Sequence, residues 1–163
     1  MTPIDNFRAK SPEVVGWIVR DFSLPDFSAA GIVGNTGREC LGFTTLREIG
    51  ARPGYGGYGW QQWTGPRRKL FLNWCAHKGL DWRSDEGNYG YLKHELLGED
   101  PSNSYAYVLT HMRECKDVTE AAIAFERFYE RAGVPALTDR IKWAQIALDA
   151  YRASLAPAKT PGA

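Results

Sequence analysis

Ala29-Ala-Gly-Ile-Val-Gly-Asn-Thr-Gly-Arg-Glu39-Cys-Leu-Gly-Phe43 is the stretch on which the reading of this chain turns. Asp26 can cap a helix that runs through Ala29, Ala30, Ile32 and Val33 to about Cys40. Gly31, Gly34 and Gly37 recur at spacing three, close to one face of that helix. Each costs a helix interior about 1 kcal/mol relative to Ala, so something must approach this backbone closely, either another helix or a ligand. The helix ends at Glu39, whose neighbours Cys40, Leu41 and Phe43 are apolar. A carboxylate there is desolvated and meets the negative end of the helix dipole, and both favour its protonated form. A proton-loaded Glu near neutral pH is what a general acid needs. The alternative is a surface Glu paired with Arg38 or Arg47.

Upstream, Val14, Ile18 and Phe22 recur at helical spacing, with Ser11 as N-cap, Pro12 at the first position and Leu24-Pro25 as the stop. Downstream, Gly54-Tyr-Gly-Gly-Tyr-Gly-Trp-Gln-Gln-Trp-Thr-Gly-Pro-Arg-Arg68 is too rich in Gly and aromatics for a helix. It predicts a small β-hairpin or an ordered loop between the second and third helices. Pro66 then opens a helix with Leu70, Phe71, Trp74 and Cys75 inward. Short helices follow around Tyr89, Leu92 and Leu96, then around Tyr105, Val108, Leu109 and Met112. Ala121, Phe125 and Phe128 form one further stripe, and Leu137, Ile141, Ala144, Leu148 and Tyr151 the best one in the chain. The expectation is an α+β, mainly α domain over residues 1–153, with a flexible tail from Ser154 to Ala163.

Composition agrees with one globular domain: 163 residues, 44% apolar and 24% charged. No apolar run is long enough for an integral membrane segment. The N-terminus lacks a basic stretch followed by an apolar one, which argues against a cleavable secretory signal. The three cysteines, Cys40, Cys75 and Cys115, form no C-x-x-C pair, which argues for free thiols and a reducing compartment. A net charge of +1 argues against a dedicated nucleic-acid partner. The charge is uneven, with eight bases against three acids from Arg38 to Arg83, and ten acids against four bases from Ser84 to Glu130. The basic middle could attract an anionic polymer. His77, His94 and His111 lie on separate predicted helices, so neither a metal site nor a cofactor is expected.

Within the Gly-rich segment, Tyr55, Tyr58, Trp60 and Trp63 stand beside two adjacent amides, Gln61 and Gln62. Aromatic faces with amide donors suit stacking on sugar rings and hydrogen bonding to their hydroxyl and acetamido groups. A phosphate loop does not fit, because no Gly-Lys-Ser/Thr follows. Glu95 and Glu130 fall in helices and could serve as buried polar anchors.

Four pieces together, Ala29 to Phe43, Tyr58 to Arg68, Tyr91-Leu-Lys-His-Glu-Leu96 and Phe128-Tyr-Glu-Arg-Ala-Gly133, resemble the phage tail lysozyme family, which is related to goose-type lysozymes and lytic transglycosylases. The resemblance spans roughly residues 12 to 151. It implies a lysozyme-like fold and cleavage of the β-1,4 bond between N-acetylmuramic acid and N-acetylglucosamine in peptidoglycan, with glycan strands as the partner. It implies that Glu39 is the general acid and that Tyr58, Gln62 and Trp63 line the saccharide cleft, with Asn35 from the same helix motif also at the substrate. It further implies an endolysin held in the host cytoplasm until it acts on the periplasmic cell wall, with a virion-associated lysozyme, or a catalytically inactive saccharide-binding module on a lysozyme scaffold, as the alternatives. Cys40 and Leu41 depart from the family pattern just after the acid, and Ala132 stands where Pro is usual. For the second carboxylate, about 6.5–9.5 Å from the acid in inverting enzymes and about 5–5.5 Å in retaining ones, Glu48 is the first candidate. Without one, the muramic C6 hydroxyl can replace water, giving transglycosylation.

Overall fold

The computed structural model describes residues 1–157 and 162. It is mainly helical, with α1 (Pro3–Phe22), α2 (Asp26–Glu39), α3 (Gly65–Lys78), α4 (Asp85–Leu97), α5 (Ala106–Glu114), α6 (Val118–Phe125) and α7 (Leu137–Leu155). A 3₁₀ turn lies at Pro101–Asn103, and a π turn at Glu126–Glu130 continues α6.

The centre of the molecule is α2, packed by α1, α6 and α7. Every residue from Ser28 to Gly37 is buried. A Cβ at Gly31 would meet Ala121 of α6 at 2.5 Å, one at Gly34 would run into the Ala144 backbone of α7, and one at Gly37 would meet Phe7 of α1 at 2.5 Å. The close approach foreseen at the glycine face is therefore helix packing on three sides rather than a ligand. The propensity lost at the three glycines is offset by contact area that no larger residue would allow.

Two expectations need correction. The first helix starts at Pro3, not at Ser11: Thr2 caps it, with a reciprocal bond between Thr2 and Asp5, and Pro12 lies inside the helix. Thr2-Pro3 carries the same start signal as Ser11-Pro12 and lies one core residue further out, at Phe7, which is fully buried. Burying that ring opposes the cost of an interior proline. The hairpin is also absent. Among the described residues there is no β-strand, only the single bridges Arg47 to Tyr58 and Tyr58 to Trp63. Tyr58 N–H and Trp63 N–H exchange bonds with each other's carbonyls, and Gly59 N–H donates to Leu46 O. Positive φ at Gly54, Gly56, Gly59 and Gln62 turns the chain before a second rung can form.

α7 extends to Leu155, so Ser154 and Leu155 are helical and not part of the expected tail. Of that tail, residues 158–161 and 163 lie outside the described residues. No helix of the described residues is long and apolar enough to cross a membrane. Cys40, Cys75 and Cys115 are free thiols.

Candidate functional site

The C-terminus of α2 delivers Glu39 to the edge of the core, with 21% of its side chain exposed. Just beyond it the backbone turns left-handed at Leu41, Gly42 and Phe43. Two of these are non-glycine residues, an arrangement that the surrounding packing must enforce. Gly42 N–H donates to Gly37 O, and Thr44 and Thr45 N–H both donate to Cys40 O. Cys40 is buried under this turn with its Sγ on Thr36 O, and burial pushes its thiol up to about 12. It is therefore a neutral packing residue at physiological pH, not a nucleophile.

Glu39 is paired, but with neither Arg38 nor Arg47. Arg38 lies 3.5 Å from Asp139. The partner is Arg140 of α7, only 2% exposed, whose Nη2 donates to Glu39 Oε1 at 2.5 Å. Its Nη1 donates to Asn35 Oδ1 at 3.0 Å and its Nε to Pro135 O at 2.7 Å. Asn35 in turn donates to Gly31 O and Ala122 O, at 2.9 and 3.0 Å. Asn35 is therefore fully buried behind the acid, where it orients Arg140.

A second carboxyl group belongs to this cluster. Glu130 closes the π turn after α6, and Arg131 follows it with φ 50. Its Oε1 is buried without a hydrogen-bond partner. Burial first, then the charge of Glu39, pushes its carboxyl well above the usual range, against the opposing charges of Arg140 and Arg67. The charge of Glu39 therefore disfavours a second negative charge on Glu130. Glu48 is not part of this pair. It is exposed on the loop, where its Oε2 accepts from Gly57 N–H at 2.9 Å.

The aromatic segment divides between core and cleft. Trp63 is 1% exposed and packed between Phe71 and Tyr91, with its Nε1 donating to Glu95 Oε1 at 2.8 Å. It cannot floor a saccharide cleft. Glu95 is fully buried and also accepts from Tyr129 Oη, Arg67 and Asn103, so it anchors α3, α4 and the π turn to the loop. Trp63→Phe keeps an aromatic side chain, leaves a small gap where the indole was, and removes one donor from this carboxylate. It is expected to destabilise the fold by about 1–3 kcal/mol, read by denaturant unfolding. Gln61 is buried and binds Thr36 Oγ1 at 2.7 Å, tying the loop to α2. Gln62 is part-buried and holds Gly59 O at 2.9 Å and Thr45 O at 3.3 Å. Tyr58 is part-buried and reaches a cleft of about 430 Å³ that it lines with Leu46, Arg47, Trp82 and Arg83.

The sequence gives no site role to Glu130 or Arg140, which the structure places with Glu39. Arg140 shares the buried α7 face with Ala144, Ala147 and Leu148, where a charge needs a partner, and that was its signal. Among the described residues no three His, Cys, Asp or Glu side chains are grouped to hold a metal ion. The family model described as phage tail lysozyme matches residues 17–151. No curated protein matches the chain.

Proposed function

The chain belongs to the phage tail lysozyme family, and from that membership, which points to a peptidoglycan-lytic function, we propose that it is a muramidase. It cleaves the β-1,4 bond between N-acetylmuramic acid and N-acetylglucosamine, with Glu39 as the proton donor. The observation that carries this reading is the carboxyl pair at the end of α2. Glu39 is the member with solvent access. Glu130 Oε1 is enclosed, and burial together with the neighbouring Glu39 charge raises its affinity for a proton, which the pair can share. Glu39 hands that proton to the leaving glycosidic oxygen, and Arg140 holds the carboxylate left behind.

Attack by water gives reducing muramic ends, with Glu48 as the base on the loop. A second reading, transglycosylation, is favoured by one observation: Glu48 Oε2 is already engaged by Gly57 N–H. Mass spectrometry of products from purified peptidoglycan separates the two. Reducing muropeptides are expected, whereas products one water lighter, ending in 1,6-anhydromuramic acid, overturn hydrolysis and with it the role of Glu48. As a proposal for its setting, the protein is made in the host cytoplasm and acts on the periplasmic wall as an endolysin. A virion-borne lysozyme would instead be found by mass spectrometry in purified particles.

A further inference from the structure

The cleft beside Tyr58 has a composition that sugar binding alone does not require. Tyr58 and Trp82 stand with ring centroids 5.0 Å apart, tilted by 49°. The Arg47 guanidinium lies 5.5 Å from the Tyr58 ring, that of Arg68 lies 5.9 Å from the same ring, and that of Arg83 lies 4.5 Å from the Trp82 ring. None of the five lining residues is acidic. The acids next in sequence to its lining residues are already engaged, Asp81 at 3.5 Å from Arg83 and Glu48 with the Gly57 N–H. Most telling is Arg47, whose Nε and Nη2 are buried with no hydrogen-bond partner. A part-buried guanidinium with two enclosed, unused donor nitrogens is unfavourable until an acceptor reaches them, and its fork matches an oxyanion. Arg68, by contrast, has its Nη1 on Gly56 O at 3.1 Å.

We propose that this cleft is a subsite for the carboxylates of the stem peptides that branch from the glycan strand, with Arg47 as the residue that recognises them. The proposal rests on the lysozyme reading for the polymer that presents these groups. The chain leaves α2 at Glu39 and enters the cleft at Leu46 and Arg47, and Gly59 N–H on Leu46 O joins the two sides of the loop. The cleft thus belongs to the segment that follows the Glu39 helix and carries the aromatic faces. Carboxylate and phosphate are both oxyanions that the fork can hold. The carboxylate is favoured because the flat Tyr58 and Trp82 faces flank the same cleft, and a stem peptide brings free carboxylates on residues tethered through the lactyl amide to a muramic ring that can stack there.

The test is calorimetric titration of the wild-type protein and of Arg47→Gln and Arg47→Lys with a muramyl tripeptide bearing free carboxylates. The same fragment with its carboxylates amidated is titrated in parallel. Circular dichroism and thermal melts of both variants confirm that they are folded. The free-carboxylate fragment is expected to bind at least about tenfold more tightly than the amidated one, as a charged hydrogen bond implies. Arg47→Gln should lose that difference, and Arg47→Lys should keep part of it. Equal binding of the two fragments, or an undiminished preference in a folded Arg47→Gln protein, overturns the proposal. So does displacement by a polyol phosphate polymer of a fragment that binds no better than its amide. Cleavage is scored separately, on strands with stem peptides and on strands stripped of them. A wild-type protein that cuts both at the same rate and shows no carboxylate preference leaves the lysozyme reading standing without the subsite. One that binds the fragment through Arg47 but cuts neither strand leaves the subsite standing without the lysozyme reading.

Discussion

Glu39→Gln lowers the lysis of outer-membrane-permeabilised cells by about 10²–10⁴-fold, the range expected when a general acid is removed. The amide keeps the shape of the side chain and an oxygen for Arg140 Nη2, but carries no transferable proton. Stability needs a separate argument, because Arg140 is 2% exposed and loses a counter-charge. Stranding one member of a buried ion pair costs about 3–5 kcal/mol. Here the loss should be well below that range. Arg140 keeps its bonds to Asn35 Oδ1 and Pro135 O, and removing the Glu39 charge eases one of the causes that oppose ionisation of Glu130. A thermal melt beside the lysis assay reads both effects. A folded Glu39→Gln protein that keeps more than about a tenth of wild-type activity would show that the proton comes from elsewhere.

How far the molecule was legible in its sequence differs between its parts. The end of α2 at Glu39 was legible because Cys40-Leu-Gly-Phe43 breaks the helix within one turn, and the glycine face announced a close approach. What approaches was not legible, since packing by Ala121, Ala144 and Phe7 depends on three other helices arriving there. The burial of Trp63 and Asn35 was not legible, for one reason. A ring or amide beside glycines suits a cleft and a core equally well, and only burial separates them. The hairpin failed because the glycines that allow a strand to turn also turn it after a single rung. Glu130 was hidden by the π turn. Ala121, Phe125 and Phe128 read as one α-helical stripe, yet the chain departs from that register at Glu126 and places Tyr129 in the core, with Glu130 Oε1 buried beside it. A bulge of this kind costs helix geometry and is often found where function requires it.

That bulge leads to the second large effect, at Glu130. Its carboxyl titrates well above the usual range in the folded protein, because of burial first and Glu39 second. The sign follows from linkage. The folded state holds this proton at pH values where the unfolded chain has already released it, so stability falls as pH rises from the ordinary carboxyl range through the folded value. Glu130→Gln removes that slope, and at neutral pH the variant should melt at or above the wild-type temperature. Activity moves the other way. The groups that face Glu130 are Glu39, Glu95, Arg67, Arg140 and Tyr129. Without the Glu130 carboxyl the pair can no longer share a proton, and Glu39 is left with the guanidinium of Arg140 beside it. The alkaline limb of the pH–rate profile should then move to lower pH, with about a tenfold loss at neutral pH for each pH unit that it moves. Assay at lower pH should restore most of the loss, which damage to folding would not allow. Glu130→Gln with an unmoved alkaline limb and a wild-type rate would mean that the buried carboxyl takes no part in holding the proton that Glu39 delivers.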